Sequence, residues 1–542
     1  MLFTFKDIFR SENKKEHFFL LVLVFLGIFF RLYQYFYNHS LWLDETYLSI
    51  SLFKKSYYEL AATSLLKQQK APLGFLWLVK SFITLFGNSE YTLRLVSLIS
   101  GIATLFIFIP VAKFFLNYWG ILTAVGILAL APAFVHHSVE VKQYGTEMFC
   151  TVLLLYFYIK YRDRKRLMAK VAWGAFGAII LWFSYAAVFI AAGIAVGLSL
   201  ELLIAKNWRL FFSNAVVFLV WMISFLLNYV FVIHAHAESP WTKYWFDAYH
   251  TFMPFPPKSI SDLTWFPLTV YRMFDYPLGL LWNFMPNFSN KIVAVLIKMS
   301  LIPIAALLLG VYALIKGKRE YLLIFSFSIL LTFIASGLKL YPLVERFWVF
   351  IAPIFLIIIG LSVDFIARRV KFRFLAIAFA MLLIFSPLVQ SAIYVVQPTE
   401  FFLHKRSFHR EAFNYINTHF KPGDVVYVYW NDLAALHVYE IMDNYKFKAI
   451  EGIDVRNSSK NYEDYYRNLS PDFRKLANKR VWVMVNTYFV SDIGDLVDEP
   501  TWYYRDSKTP PEHLIEQFSK MGKRLAAFQS ADVDVFLFDL RK

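Results

Sequence analysis

Long apolar runs separated by short basic clusters make up the first three-quarters of the chain. The runs lie near Phe18–Tyr37, Leu95–Phe115, Gly120–Val135, Gly145–Tyr158, Val171–Ile190, Ala191–Ile204, Leu210–Ile233, Ile292–Leu314, Tyr321–Ser336, Phe347–Ile366 and Phe374–Val395. A helix rises 1.5 Å per residue, so about 18 or more apolar residues cross the roughly 30 Å hydrocarbon layer. The pattern predicts a mainly α, polytopic membrane protein with about eleven transmembrane helices. Pro72–Phe86 is apolar but short. Counting it as a span inverts the charge of every later loop, so it reads as an interfacial or re-entrant helix.

The clusters between the runs set the orientation. Lys6, Arg10, Lys14 and Lys15 precede the first run, and no small-residue cleavage site follows it, so it reads as a retained signal anchor with a cytoplasmic N-terminus. Alternation then places Lys160 to Arg166, Lys206 with Arg209, Lys316 with Lys318 and Arg319, and Arg368, Arg369, Lys371 and Arg373 on that same inner side. The loops 38–94, 135–144, 234–291 and 337–346, and everything after Gln397, fall outside. The expected location is the plasma (inner) membrane, crossed many times.

After residue 397 the pattern changes. Helical periodicity over Phe408–His419, the turn Lys421-Pro422-Gly423-Asp424 and an apolar β-branched and aromatic run Val425–Trp430 come first. A helical stretch Leu433–Met442 and strand patterns at Lys448–Ile453, Arg480–Thr487 and Val533–Asp539 follow. Residues 398–542 are expected to form a soluble extracytoplasmic α/β domain beside a membrane domain of residues 1–397.

Composition narrows the class further. The 542 residues are 58% hydrophobic, 20% aromatic and 17% charged, far from a soluble protein. The net charge of +16 could suggest nucleic acid, but its confinement to inter-span clusters makes it topological, so no nucleic-acid partner is expected. One cysteine, Cys150, excludes an intrachain disulfide and a cysteine-based zinc site. Phosphate-loop, dinucleotide-fingerprint and nucleophile-elbow patterns are absent from the sequence, and no cofactor is expected.

Ionisable residues at the membrane boundary gather in the outer loops. In Leu41-Trp42-Leu43-Asp44-Glu45-Thr46-Tyr47, Asp44 sits at a predicted helix N-terminus, where the helix dipole favours the carboxylate. It reads as a helix cap beside an interfacial tryptophan or as a general base. In His136-His137-Ser138-Val139-Glu140-Val141-Lys142-Gln143-Tyr144, a helix after His137 would put Glu140, Tyr144 and Glu147 on one face. Lys142 suits a phosphate or simply snorkels. Adjacent His136 and His137 point about 100° apart on a helix and make no i, i+4 ligand pair, so no metal is expected. Where the chain re-enters the membrane, Arg346 suits a phosphate, Glu345 or lipid headgroups, and Arg94 is a similar candidate. The long loop adds His234, His236, Trp241, Trp245 and Trp265, which read as sugar-stacking or interfacial groups.

Taken in order, Trp42-Leu43-Asp44-Glu45, Ala71-Pro72-Leu73-Gly74-Phe75, Arg94-Leu95 and Ser138-Val139-Glu140-Val141-Lys142-Gln143-Tyr144 resemble the GT-C membrane glycosyltransferases. The likeness is to the branch of protein O-mannosyltransferases and lipid A aminoarabinose transferases. It implies a GT-C-like fold and inverting transfer of a sugar from a polyprenyl-phosphate carrier to a hydroxyl acceptor, a lipid, glycan or protein. By the same resemblance Asp44 is the general base with Glu45 as support, and Glu140, Lys142 and Tyr144 stand where relatives carry Glu-x-Arg-x-Tyr. Lysine for arginine keeps the charge but loses the planar fork. Arg94, Glu345 and Arg346 complete the expected donor site, and this branch implies no metal. A transporter or flippase of lipid-linked sugars is the alternative; it would call for an inverted repeat and charges near the bilayer midplane.

Overall fold

A computed structural model of the protein describes residues 14–233, 240–285, 291–370, 373–487, 500–504 and 506–541. Lys6, Arg10, His234, His236 and Lys371 lie outside these residues, as does the side chain of Trp241.

Each of the eleven apolar runs is helical. They are α1 (Lys14–Tyr37), then, after α2 (Leu43–Lys54) and α3 (Leu73–Phe86), α4 (Glu90–Phe115) and α5 (Tyr118–Leu130). After a short α6 (Pro132–His136) follow α7 (Tyr144–Tyr161), α8 (Leu167–Phe183), α9 (Ala187–Ile204) and α10 (Trp208–Asn228). The series ends with α11 (Leu301–Ile315), α12 (Arg319–Gly337), α13 (Ala352–Arg369) and α14 (Arg373–Val396). Among the described residues seven helices are long and apolar enough to cross a membrane. The helices α5, α8 and α11 are shorter, at 13, 17 and 15 residues, and α7, at 18 residues, is not among the seven.

Several predicted boundaries move for local reasons. The run Gly120–Val135 breaks before Pro132, because proline lacks the N–H and pushes Ala131 to an extended conformation, φ −64° and ψ 128°. The runs Val171–Ile190 and Ala191–Ile204 part at residues 184–186, and Ile292–Leu314 breaks before α11. The start of Phe347–Ile366 is wound more tightly, as a 3₁₀ turn over Glu345–Ile351.

Helix α5 is the centre of the bundle, with α1, α4, α13 and α14 packed around it. On the other flank α9 packs on α12 at a glycine, Gly193, where an added Cβ would lie 2.0 Å from Ser328 Oγ. Such small residues let helix backbones approach where lipid offers no hydrophobic drive.

The predicted sidedness is self-consistent in space. At one end of the bundle Arg162 pairs with Glu320 at 2.6 Å and Arg319 with Glu201 at 2.7 Å, which joins three loops assigned to the inner side. At the other end, residues of all the segments assigned outside meet. Asp44 and Lys142 lie 4.0 Å apart, although α3, α4 and α5 intervene. If α3 crossed the membrane along with α4 and α5, the two would lie on opposite faces, so their contact agrees with α3 as a helix that does not span.

The C-terminal part carries a five-stranded sheet: β1 (Asp424–Val428), β2 (Ala449–Glu451), β3 (Arg480–Asn486), β4 (Lys523–Gln529) and β5 (Val533–Asp539), in spatial order β2-β1-β3-β5-β4. β1 runs parallel to β2 and β3, while β5 is antiparallel to β3 and β4. Strand β4 has no counterpart among the predicted strands; its Lys523-Arg524 start and mostly exposed positions are those of an edge strand. Helices α15 (His409–His419) and α16 (Leu433–Met442) agree with the pattern.

This sheet does not keep a core of its own on the face towards the membrane helices. Leu48, Ile50 and Leu52 of α2 and Phe75, Leu76 and Val79 of α3 are buried in the same cluster as Val426, Leu436, Trp482 and Leu537. The expected division at residue 397 thus separates compositions, while the loop 38–94 and the C-terminal sheet share one interior.

Candidate active site

Asp44 and Glu45 are neighbours on the first turn of α2 and end up in different surroundings. Glu45 is buried, 3% exposed. Its Oε1 accepts from Arg94 Nε at 3.0 Å and from Val141 N at 2.8 Å, and its Oε2 accepts from Arg94 Nη2 at 2.8 Å and from Trp42 N at 3.2 Å. Arg94 Nη1 donates to Asn38 Oδ1 at 3.0 Å and to His39 O at 2.6 Å. This arginine, expected among donor ligands, is therefore occupied with holding the two loops, and Glu45 is held with it.

Asp44 instead keeps its side chain 21% exposed. Arg346 Nη1 donates to its Oδ2 at 2.9 Å, and Lys142 Nζ stands 4.0 Å from the same oxygen. Burial raises the carboxyl's pKa, but Lys142 and Arg346 outweigh it and hold Asp44 below its ordinary value. The acid is ionised at neutral pH.

Lys142 is buried, 4% exposed, which removes the snorkelling alternative. Its Nζ donates to Gln69 Oε1 at 2.5 Å. Burial lowers its pKa while Asp44 pulls back the other way. Arg346 lies over the Tyr144 ring at 5.7 Å and does not pair with Glu345, whose Oε2 instead meets Lys405 Nζ at 2.6 Å. Lys405 belongs to the segment before the C-terminal sheet, so this pair is another tie between the two parts.

The helix expected after His137 is absent. Residues 137–143 form turns, and α7 starts at Tyr144, so Glu140 is not on a face with Tyr144 and Glu147. Glu140 turns back to His136 and His137, with its Oε2 3.3 Å from His136 Nε2 and its Oε1 hydrogen-bonded to His137 Nδ1. Glu147 accepts from Tyr185 N at 3.2 Å within the bundle. His137 Nε2 also meets the hydroxyl of Tyr276, a residue of the long loop. Of the tryptophans in that loop, Trp265 Nε1 donates to His250 O at 3.0 Å and Trp245 packs on Tyr249.

Two features that position the site were missed in the sequence. Arg31, buried in α1, donates to Leu128 O at 3.1 Å and Ala129 O at 2.9 Å. The first is the i−4 carbonyl that Pro132 leaves without a helical donor. Arg31 Nε also donates to Ser138 Oγ at 3.1 Å, so one side chain ties the break in the bundle to the loop carrying Lys142. Gly101 makes room there: an added Cβ would lie 2.0 Å from Ser138 Oγ. A lone arginine inside an apolar run was the available signal.

The second is the clamp on the strap before Asp44. Tyr439 OH accepts from Leu41 N at 2.9 Å and Ser40 Oγ at 2.8 Å while donating to Glu90 Oε1 at 2.6 Å. Arg410 contacts Glu90 and donates to Asn38 O at 2.5 Å. His409 joins in through Nδ1, 3.3 Å from Leu41 O, with Nε2 on Asp432 Oδ1 at 2.6 Å. The C-terminal sheet unit thus grips residues 38–41 immediately before the turn that presents Asp44.

Residues 70–234 match the family model described as dolichyl-phosphate-mannose-protein mannosyltransferase. The matched segment contains Arg94, Glu140, Lys142 and Tyr144 but not Asp44 or Arg346. In fold the chain is similar to apo ArnT from Cupriavidus metallidurans, at 12% identity and TM-score 0.50 over 95% of this chain and 98% of that one. The same protein bound to undecaprenyl phosphate gives 13% identity and TM-score 0.49 over 97% and 98%. The oligosaccharyltransferase of Archaeoglobus fulgidus gives 12% identity and TM-score 0.49 over 96% and 72%. No curated protein matches the chain.

Proposed function

The chain has the GT-C fold of membrane glycosyltransferases, and on that premise we propose that it transfers a sugar from a polyprenyl-phosphate carrier to a hydroxyl acceptor at the outer face of the membrane, with inversion. The observation that carries this reading is the pairing of Asp44 with Arg346 and Lys142 at one end of the helix bundle, with Asp44 and Arg346 each about one-fifth exposed.

In this reaction the two cations bind the carrier phosphate. Arg346 then leaves Asp44 for the anionic donor, and the freed carboxylate receives the proton of the acceptor hydroxyl. The acceptor oxygen bonds to the anomeric carbon as the bond from that carbon to the phosphate oxygen breaks, and the departing polyprenyl phosphate keeps the electron pair. Removing the proton in the transition state contributes about 10²- to 10⁴-fold. Cations fixed at the leaving phosphate stabilise its developing charge without reorganisation. Tyr144 supports Arg346 through its ring. Glu45 and Arg94 act as the frame that holds α2 against the second loop.

The transporter alternative has no observation of its own, since the charged groups of this site gather at one end of the bundle rather than along an internal repeat. The purified protein is incubated with labelled polyprenyl-phosphate sugars, and the label is followed into lipid, glycan and protein fractions. Transfer into one fraction supports the reading and identifies the acceptor class. Label that stays on the carrier in every fraction while crossing the bilayer of reconstituted vesicles would replace it with the transporter.

A further inference from the structure

The turn after α6 brings His136, His137 and Glu140 onto one point, an arrangement that adjacent histidines on a continuous helix could not make. The geometry points to a binding site for one transition-metal ion of the zinc class at these three residues, apart from the Asp44–Arg346 pair. One ring nitrogen from each histidine and a carboxylate oxygen lie within 4.8 Å of one another, and all three residues are buried. Among the described residues no other group of three such side chains converges in this way.

One separation in the group is that of two ligands on a tetrahedral ion. Ligand atoms held 2.0–2.1 Å from zinc lie about 3.3 Å from one another, and His136 Nε2 is 3.3 Å from Glu140 Oε2. His137 Nδ1 is hydrogen-bonded to the other oxygen of the same carboxylate, and an ion bound here would take the place of that hydrogen bond. Hydrogen bonding alone leaves the group incomplete. His136 Nε2 is buried and, despite that distance, makes no hydrogen bond of acceptable geometry. A buried ring nitrogen without a hydrogen bond is costly, and a metal ion takes its lone pair.

The surroundings are those of a ligating imidazole pair. The second nitrogen of His137 meets the Tyr276 hydroxyl, the kind of outer partner that fixes the tautomer and direction of a metal-bound histidine. The His136 ring is held flat against Phe402, centroids 4.3 Å apart and planes 16° apart. Two imidazoles and one carboxylate form a borderline donor set that suits zinc and its neighbours rather than magnesium or calcium. Placed two residues before Lys142, such an ion would pin the turn that aims that lysine.

The test uses the full-length protein in detergent. It is stripped with chelator, equilibrated with one equivalent of zinc or cobalt, passed through a desalting column and measured for metal by mass spectrometry and for the visible d–d absorption of cobalt. The expected result is about one ion per chain with the absorption of a four-coordinate cobalt site. His136→Ala and Glu140→Gln should each weaken binding by more than the 10- to 100-fold usual for losing an outer partner, while His404→Ala, a histidine outside the trio, should leave it unchanged. Because Glu140→Gln could compromise folding, His136→Cys provides a second route: it should keep the ion and add a thiolate-to-cobalt charge-transfer band in the near ultraviolet. A wild-type protein that emerges metal-free, or trio variants that hold metal as the wild type does, overturns the site.

Discussion

Glu45 receives both arms of Arg94, at 2.8 and 3.0 Å, while the adjacent Asp44 accepts from Arg346 at 2.9 Å and lies 4.0 Å from Lys142. Two consecutive acids on one helical turn thereby separate into a buried frame and a partly exposed carboxylate. The separation is testable through stability. Removing one partner of a buried ion pair leaves the other charge uncompensated and costs about 3–5 kcal/mol. Arg94→Ala should therefore lower the thermal midpoint of the detergent-solubilised protein by several degrees, and Glu45→Ala should do the same. An unchanged midpoint in both would show that the pair is not part of the frame.

Asp44→Asn should behave in the opposite way. The carboxylate is partly exposed and its amide substitute still fits the helix turn, so the melting curve should stay close to the wild type while sugar transfer falls by about 10²- to 10⁴-fold. The pH profile adds a check. Lys142 and Arg346 hold the Asp44 carboxyl below its ordinary value against the opposing effect of burial, so it stays ionised wherever an ordinary aspartate is. Transfer should show no acid limb from this group between about pH 5 and 7. A wild-type rate that collapses in that range with the protein still folded would exclude Asp44 as the base.

The parts of this site that were legible in the sequence are those announced by a single charge beside a long apolar run, because the membrane penalises such charges and so makes them conspicuous. Asp44, Lys142 and Arg346 are of this kind, and the run lengths themselves mark the helices. What could not be read depends on contacts without a sequence period. Arg94 meets Glu45 across 49 residues, and Tyr439 meets Leu41 across 398. The helix expected after His137 failed for the same kind of reason. Gly101 and Arg31 draw Ser138 close to the bundle, which leaves the chain to turn until Tyr144 starts α7. Arg31 itself stood in the first apolar run and could have been recognised by the rule that singled out Asp44.

Arg346 and Lys142 should separate binding from turnover. Hydrogen bonds to charged groups contribute about 1.5–3 kcal/mol, so Arg346→Ala should raise the KM for the lipid-linked donor by about 10- to 100-fold. Arg346→Lys should recover part of that loss, since it keeps the charge without the planar fork. Lys142→Ala should also weaken the donor, with equilibrium binding of the polyprenyl phosphate as the readout. Donor affinity unchanged by both alanine variants would remove the phosphate role from this pair.

Tyr439 tests whether the C-terminal sheet unit sets the position of Asp44. Tyr439→Phe removes the hydroxyl that accepts from Leu41 N and donates to Glu90, leaving buried groups without partners at a cost of about 1–3 kcal/mol. The expected outcome is a lower thermal midpoint together with a lower kcat, and a donor KM close to the wild type, because Arg346 and Lys142 are not touched. A variant with reduced stability and full kcat would show that the clamp holds the fold without positioning the base.

His409 makes the same joint dependent on pH. Burial acts to lower its pKa, but the charge and hydrogen bond of Asp432 outweigh this and raise it to about 9. A histidine whose folded pKa lies above its unfolded value of about 6.5 contributes stability that is complete below that value and is lost as pH rises through the folded one. The protein should therefore unfold at progressively lower temperature as pH is taken from about 6.5 past about 9, and His409→Gln should remove most of that slope while lowering the midpoint at neutral pH. Asp432→Asn should produce the same flattening from the other side of the pair. A slope in this range that survives both substitutions would assign the alkaline loss to other groups and leave His409 as a neutral packing residue.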